Sequence, residues 1–190
     1  MKLIRPTTWP ETFENWSSRE ASDPGWIHCA TQIKGWPDWQ SWRNFTAEQF
    51  DAQNLDWNLY EFDNPMKEIP EMLMGPFQGW QSRVKTPNTA TFNDLIDLPS
   101  QMKYWSSVEK IRSLIENFPQ GTELIGLIRE DIDKIICLEG HHRAVSLTIA
   151  DRIKQPINFE NPPKIALAKI TGDIDKKLTD ILERGTSKTF

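Results

Sequence analysis

Residues 134–153 constrain this chain more than any other stretch. Lys134-Ile135-Ile136-Cys137-Leu138 is an apolar run of strand length. Glu139-Gly140-His141-His142-Arg143 follows. Then comes Ala144-Val145-Ser146-Leu147-Thr148-Ile149-Ala150, apolar nearly all round and heading for a stop at Pro156. A strand that turns through one glycine into such a helix predicts a buried helix seated on a sheet. The turn also presents that helix's free N–H groups and positive dipole end. An anion suits the corner, with Arg143 and two histidines beside it.

The surrounding pattern fits this unit. Leu124-Ile125-Gly126-Leu127-Ile128 reads as a strand, and Glu130-Asp131-Ile132-Asp133 is a polar turn that makes a hairpin with the next strand. Upstream, Leu95-Ile96-Asp97-Leu98-Pro99 reads as a short strand or the end of one. Ser106 and Glu109 form a capping-box pattern, and Val108, Ile111, Leu114, Ile115 and Phe118 recur at helical spacing. A last strand is expected at 165–170. A last helix follows, with Ile174, Leu178, Ile181 and Leu182 on one face and Gly185 past its end. Without regular βαβ repetition the class is α+β, a small mixed sheet with packed helices.

Residues 1–90 hold eight of the nine tryptophans (Trp9, Trp16, Trp26, Trp36, Trp39, Trp42, Trp57 and Trp80), separated by Pro, Gly, Asp and Asn. Only 46–52 reads as a helix, with a capping-box pattern at Thr46 and Gln49. We therefore expect an irregular, Trp-rich, loop-dominated extension over 1–90, then a domain over 91–190 ending in a helix. The rings either pack in place of regular apolar faces or line a cleft that stacks a base, sugar or peptide. Met66, Met72 and Met74 read as gap-filling residues. Arg83, in the turn-rich loop 75–83, can reach a ligand or lie in solvent.

Charge narrows the partners. The chain carries 22 basic and 27 acidic residues, and its first hundred residues hold 8 basic against 14 acidic. Duplex nucleic acid is disfavoured, because sequence-blind binding needs a concentrated basic surface. Cys29 and Cys137 lack metal-type spacing, and Cys137 lies within an apolar strand, so the expected setting is reducing and cytoplasmic. No secretory leader and no run of roughly 20 apolar residues is visible, so no membrane partner is expected.

A strand, a polar turn, a second strand and then Glu-Gly-His-His-Arg opening a helix resembles the ParB-like/sulfiredoxin superfamily, over about residues 91–171. The resemblance implies that fold and a site for nucleotide phosphates. By position, Gly140 is the family's turn glycine, Arg143 its phosphate-binding arginine, and Ser146 falls at its small helix residue. His142 matches the histidine that precedes arginine in sulfiredoxins. His141 stands where those enzymes carry a reactive cysteine, and imidazole cannot perform their sulfur–phosphoryl chemistry, which argues against sulfiredoxin activity. The partitioning proteins carry a richer arginine cluster and a downstream helix-turn-helix domain, absent here. Some members are kinases of small hydroxyl substrates with glutamates proposed as bases, and Glu139 is a candidate by type.

The candidate phosphate-binding set is thus Gly140, His141, His142 and Arg143, and the candidate catalytic groups are Glu139 and His141. Glu139 can pair with Arg143, hold Mg²⁺ on a nucleotide or act as a base. No dedicated metal site is expected, since the histidines lack a third ligand of suitable spacing, and His28 reads as structural. Three functions remain open: a phosphate- or nucleotide-binding protein; a small-molecule kinase or phosphate-ester hydrolase using the same pocket; and a protein that binds a partner through its Trp-rich region.

Overall fold

The structure, a computed structural model, describes residues 1–188. In chain order the elements are β1 (Lys2–Thr7), α1 (Trp9–Glu20), α2 (Pro24–His28), α3 (Trp39–Gln49), β2 (Trp57–Glu61), α4 (Pro65–Glu68), β3 (Leu73–Met74) and α5 (Gln78–Gln81). They continue with α6 (Phe92–Asp97), α7 (Pro99–Ser107), α8 (Glu109–Glu116), β4 (Glu123–Arg129), β5 (Lys134–Glu139), α9 (His141–Arg152), β6 (Lys164–Lys169) and α10 (Ile174–Arg184). A π-helical turn, Cys29–Ile33, extends α2. The class is α+β, around one mixed six-stranded sheet.

The strand order is β1-β2-β6-β4-β5-β3. Strands β6 and β4 pair in parallel, as do β5 and β3; the other neighbours are antiparallel. The expected hairpin forms between β4 and β5, with Ile128 opposite Ile135. Strand alternation then splits the core in two. Leu124, Cys137, Ile165 and Leu167 face one cluster, which α6, α7, α8 and α9 cover. Ile125, Leu127, Ile136, Ala166 and Ala168 face the other, which α1, α3 and α10 cover with Trp9, Trp16, Trp39, Trp42, Leu178 and Ile181. Apolar on both faces, the central strands have no wet side.

Several expectations are corrected. The first ninety residues are not a loop-dominated extension: β1, β2 and β3 belong to the same sheet as β4, β5 and β6, so a boundary at residue 90 would cut through one sheet. The helix expected at 46–52 begins at Trp39, because Asp38 caps it by accepting from the Ser41 N–H at 2.6 Å. Thr46 lies inside that helix, its hydroxyl donating to the Trp42 carbonyl at 3.1 Å. Residues 95–99 form no strand. Thr91 and Asp94 make a reciprocal capping box that starts α6, and Pro99 opens α7. Ser106 lies within α7 instead of capping α8.

Candidate functional site

At the carboxyl end of β5, Gly140 turns the chain into α9 with φ +110°. A Cβ built there would lie 2.7 Å from Leu124 Cγ. The turn therefore needs glycine twice, for its dihedral and for the core packing beneath it. Its bare Cα faces Leu124. The first turn of α9 has no side-chain cap, so its N–H groups face the space beyond.

The two histidines diverge, as adjacent helical residues must. His141 turns inward and is buried. Its Nε2 accepts from the Gly75 N–H at 3.1 Å, which puts the proton of the neutral ring on Nδ1, 3.8 Å from Cys137 Sγ. The Cys137 thiol in turn donates to the Glu139 carbonyl at 3.2 Å. Trp80 stacks on the ring at 4.9 Å. Burial first, then His142 and Arg43, push the His141 pKa down to about 3. With its ring engaged by Gly75 and Cys137, His141 ties β3's end to the strand–helix corner. Both nitrogens of its ring are thereby engaged within the protein, which leaves its backbone N–H to face the cleft.

His142 turns outward. Its ring meets Trp80 and Trp105 edge-on at 5.3 and 6.1 Å and lies 6.4 Å from Trp26. No hydrogen bond engages either ring nitrogen among the described residues. Burial, and after it the Lys110 ammonium, lower its pKa to about 4 against the opposing pull of Glu139. It is a neutral imidazole open to a ligand.

Arg143 and Glu139 hold each other. The guanidinium Nη2 donates to both carboxylate oxygens, while Nη1 donates to Thr122 Oγ1 and, at 3.2 Å, to the Glu123 carbonyl. Arg19 stands 3.9 Å from the same carboxylate and donates to the same carbonyl at 3.0 Å. The pair is nearly out of solvent, with side-chain exposures of 12% and 8%. Glu139 is thus an ion-pair partner placed between two arginines. Its lone pairs are oriented to guanidinium and not to a reacting group.

These residues wall one end of a cleft of about 610 Å³. The opposite wall comes from the first ninety residues, where Arg43 lies over the rings of Trp42, Trp16, Trp26 and Trp39 at 3.8 to 5.7 Å and pairs with Glu20 at 3.3 Å. Lys110 of α8 stands 5.0 Å over Trp26. The lining carries five fixed cations (Arg19, Lys34, Arg43, Lys110 and Arg143) against three carboxylates (Glu20, Asp23 and Glu139), two positive charges in excess. Burial, and next the nearby Glu139, hold the Glu20 carboxyl above the usual carboxylate range, so the excess grows if Glu20 takes a proton. Gly185, Thr186 and Ser187 line the rim, and Trp36 Nε1 donates to the Thr186 carbonyl at 2.8 Å.

Residues 134–143 alone did not point to this second wall. A signal did exist: Trp16, Arg19 and Glu20, and again Trp39, Trp42 and Arg43, share an i, i+3, i+4 spacing that sets ring and charge on one helix face. Arg83 belongs elsewhere, lying 4.4 Å over Tyr104 and 4.9 Å over Trp105. His28 is exposed on α2. Five of the tryptophans in residues 1–90 are buried, among them Trp9, Trp39 and Trp57, so packing claims most of the rings and Trp26, Trp36 and Trp80 are half-exposed.

No group of three or more His, Cys, Asp or Glu side chains is placed to hold a metal ion among the described residues. Among them, too, no helix is long and apolar enough to cross a membrane. Comparison of the chain with protein-family models, with curated protein sequences and with solved structures finds no significant match.

Proposed function

We propose that this protein binds a phosphorylated small molecule carrying a flat ring, a nucleotide by class, in the cleft between α9's first turn and the tryptophan-lined wall. One observation carries the reading: uncapped N–H groups, an unpartnered imidazole and a surplus of cations meet half-exposed indole in one cavity. Phosphate takes the helix end, His142 and Lys110. The ring takes the indole surface, as bases stack on aromatic platforms. Arg143 serves by position: Glu139 and Thr122 fix its guanidinium at the corner, where its charge adds to the field.

The order β4, polar turn, β5, Gly140, α9 supports reading this corner as the phosphate-binding turn of a ParB/sulfiredoxin-like domain. Turnover is a second reading, favoured by His142 alone, a neutral acid–base group whose ring nitrogens no hydrogen bond engages among the described residues. The third, a protein partner on an exposed aromatic patch, loses most of its surface to the core.

Thermal melting with inorganic phosphate and with adenosine and cytidine nucleotides tests the proposal. A ligand at about 100 times its Kd adds roughly 2.7 kcal/mol. In a chain this long that raises Tm by roughly 5–10 °C. Tryptophan fluorescence should change in parallel. No shift from any of these ligands would overturn the assignment, while release of inorganic phosphate would establish turnover.

A further inference from the structure

We propose that the cleft selects a terminal phosphomonoester dianion, as on a nucleoside monophosphate, and binds it without Mg²⁺. This rests on the ligand reading above and narrows it.

The first support is charge. Arg43 is matched by Glu20, and Arg19 and Arg143 share Glu139. Lys34 and Lys110 make no ion pair among the described residues, and Asp23 caps α2 through the Gly25 and Trp26 N–H groups. The surplus of two positive charges matches a phosphomonoester, which carries about −1.5 to −2 at neutral pH. A triphosphate brings roughly twice that charge and leaves part of it uncompensated in a half-closed cavity.

The second support is the kind of group left open. Most of the open polar groups are donors: the α9 N–H groups, the Lys110 ammonium, and the buried indole N–H of the cleft residue Trp42, which has no acceptor, with the His142 ring able to donate as well. Donors converge on phosphate oxygens directly. Mg²⁺ asks for the opposite, one or two free carboxylates beside the ligand's own oxygens. None of the cleft's carboxylates has both oxygens free. Both oxygens of Glu139 accept from Arg143, one oxygen of Glu20 is paired with the Arg43 guanidinium, and one oxygen of Asp23 accepts the two α2 cap hydrogen bonds. Freeing Glu139 for a metal would strand a nearly buried guanidinium.

Tryptophan fluorescence titrations can decide this with one nucleoside, its 5′-mono-, di- and triphosphates and inorganic phosphate, each in EDTA and in Mg²⁺, for the adenosine and cytidine series. The monophosphate should bind most tightly in EDTA, at least about tenfold tighter than the triphosphate, with Mg²⁺ changing its Kd by less than about twofold. Lys110→Ala should weaken the monophosphate about tenfold without moving the unliganded Tm, and Lys110→Arg should restore it. A Mg²⁺–triphosphate that binds more tightly than the monophosphate overturns this inference and leaves the nucleotide site standing. Binding of the free nucleoside as strong as the monophosphate overturns the phosphate's part in both, and no binding at all overturns both.

Discussion

The two faces of the sheet are built by different means. On one, helices α6 to α9 pack aliphatic side chains such as Leu95, Ile111 and Leu147 onto β4, β5 and β6. On the other, α1 and α3 lay indole rings over the same strands, and Trp39 touches both Trp16 and Phe13. Aliphatic packing fills volume and leaves no polar atom behind. Indole packing fills more volume per residue but carries an N–H, and those of Trp39 and Trp42 are buried without an acceptor. The tryptophan face also admits charge, since Arg43 rests on four rings there. The cleft opens where these two kinds of packing meet, at the Gly140 corner.

That corner is where the two faces are hardest to separate, so the largest effect is expected there. Gly140→Val combines a left-handed dihedral with a side chain driven into Leu124, and should cost roughly 3–6 kcal/mol in urea unfolding. Gly79→Ala, where an added Cβ meets nothing within 4 Å, should be close to neutral. Next comes the contrast between faces. Trp39→Ala should cost roughly 3–5 kcal/mol and Leu95→Ala roughly 2–5. Both variants should unfold in one transition, because the faces share the central strands. Two separated transitions for Trp39→Ala would mean the tryptophan face is an appended layer after all.

Arg143→Ala leaves Glu139 nearly buried with only Arg19, at 3.9 Å, to oppose its charge, and should cost about 3 kcal/mol. Replacing the pair together, as Glu139→Gln with Arg143→Met, should recover most of that loss. If Arg143→Ala melts like the parent, the ion pair contributes nothing and the arginine is free for the ligand.

Acid should act through the two histidines. Their folded pKa values, about 3 and about 4, lie below the usual 6.5, so the unfolded chain binds more protons between those limits. Their contribution is full above pH 6.5 and is lost as the pH falls toward 4 and then 3. Each histidine should remove about 1.4 kcal/mol per pH unit within its window. Glu20, whose pKa is raised, works in the opposite sense once the pH nears the carboxylate range. Urea unfolding across pH 7 to 4 checks the slope, and His141→Phe should flatten it. A small effect is also expected at Lys110, exposed and without an ion pair among the described residues: Lys110→Ala should move stability by less than about 0.5 kcal/mol.

The aliphatic face was largely legible in the sequence. Val108, Ile111 and Ile115 keep helical spacing, and β4, β5 and α9 lie within a residue or two of where apolar runs and Gly140 put them. Residues 95–99 are too short a run to show a period, and Thr91 with Asp94, outside that run, decides for helix. On the tryptophan face only α10 was legible, through Ile174, Leu178 and Ile181. Helices α1 and α3 carry few aliphatic residues, so their periodicity survives only in the rings and charges. The site followed the same division. The corner was visible because it is local, but Glu20, Arg43 and Lys110 reach it through tertiary packing from distant points in the chain. Adjacent histidines were bound to diverge, yet only Gly75, 66 residues away, fixes which one turns inward.

The most direct measurement is NMR of the labelled histidine rings during titration with a nucleoside monophosphate. The His142 ring signals should shift with saturation, and its pKa should rise toward the usual value as the phosphate settles beside it, while His141 stays unmoved. A ligand that shifts His141 and leaves His142 still, or that shifts neither ring, would contradict the placement of the site.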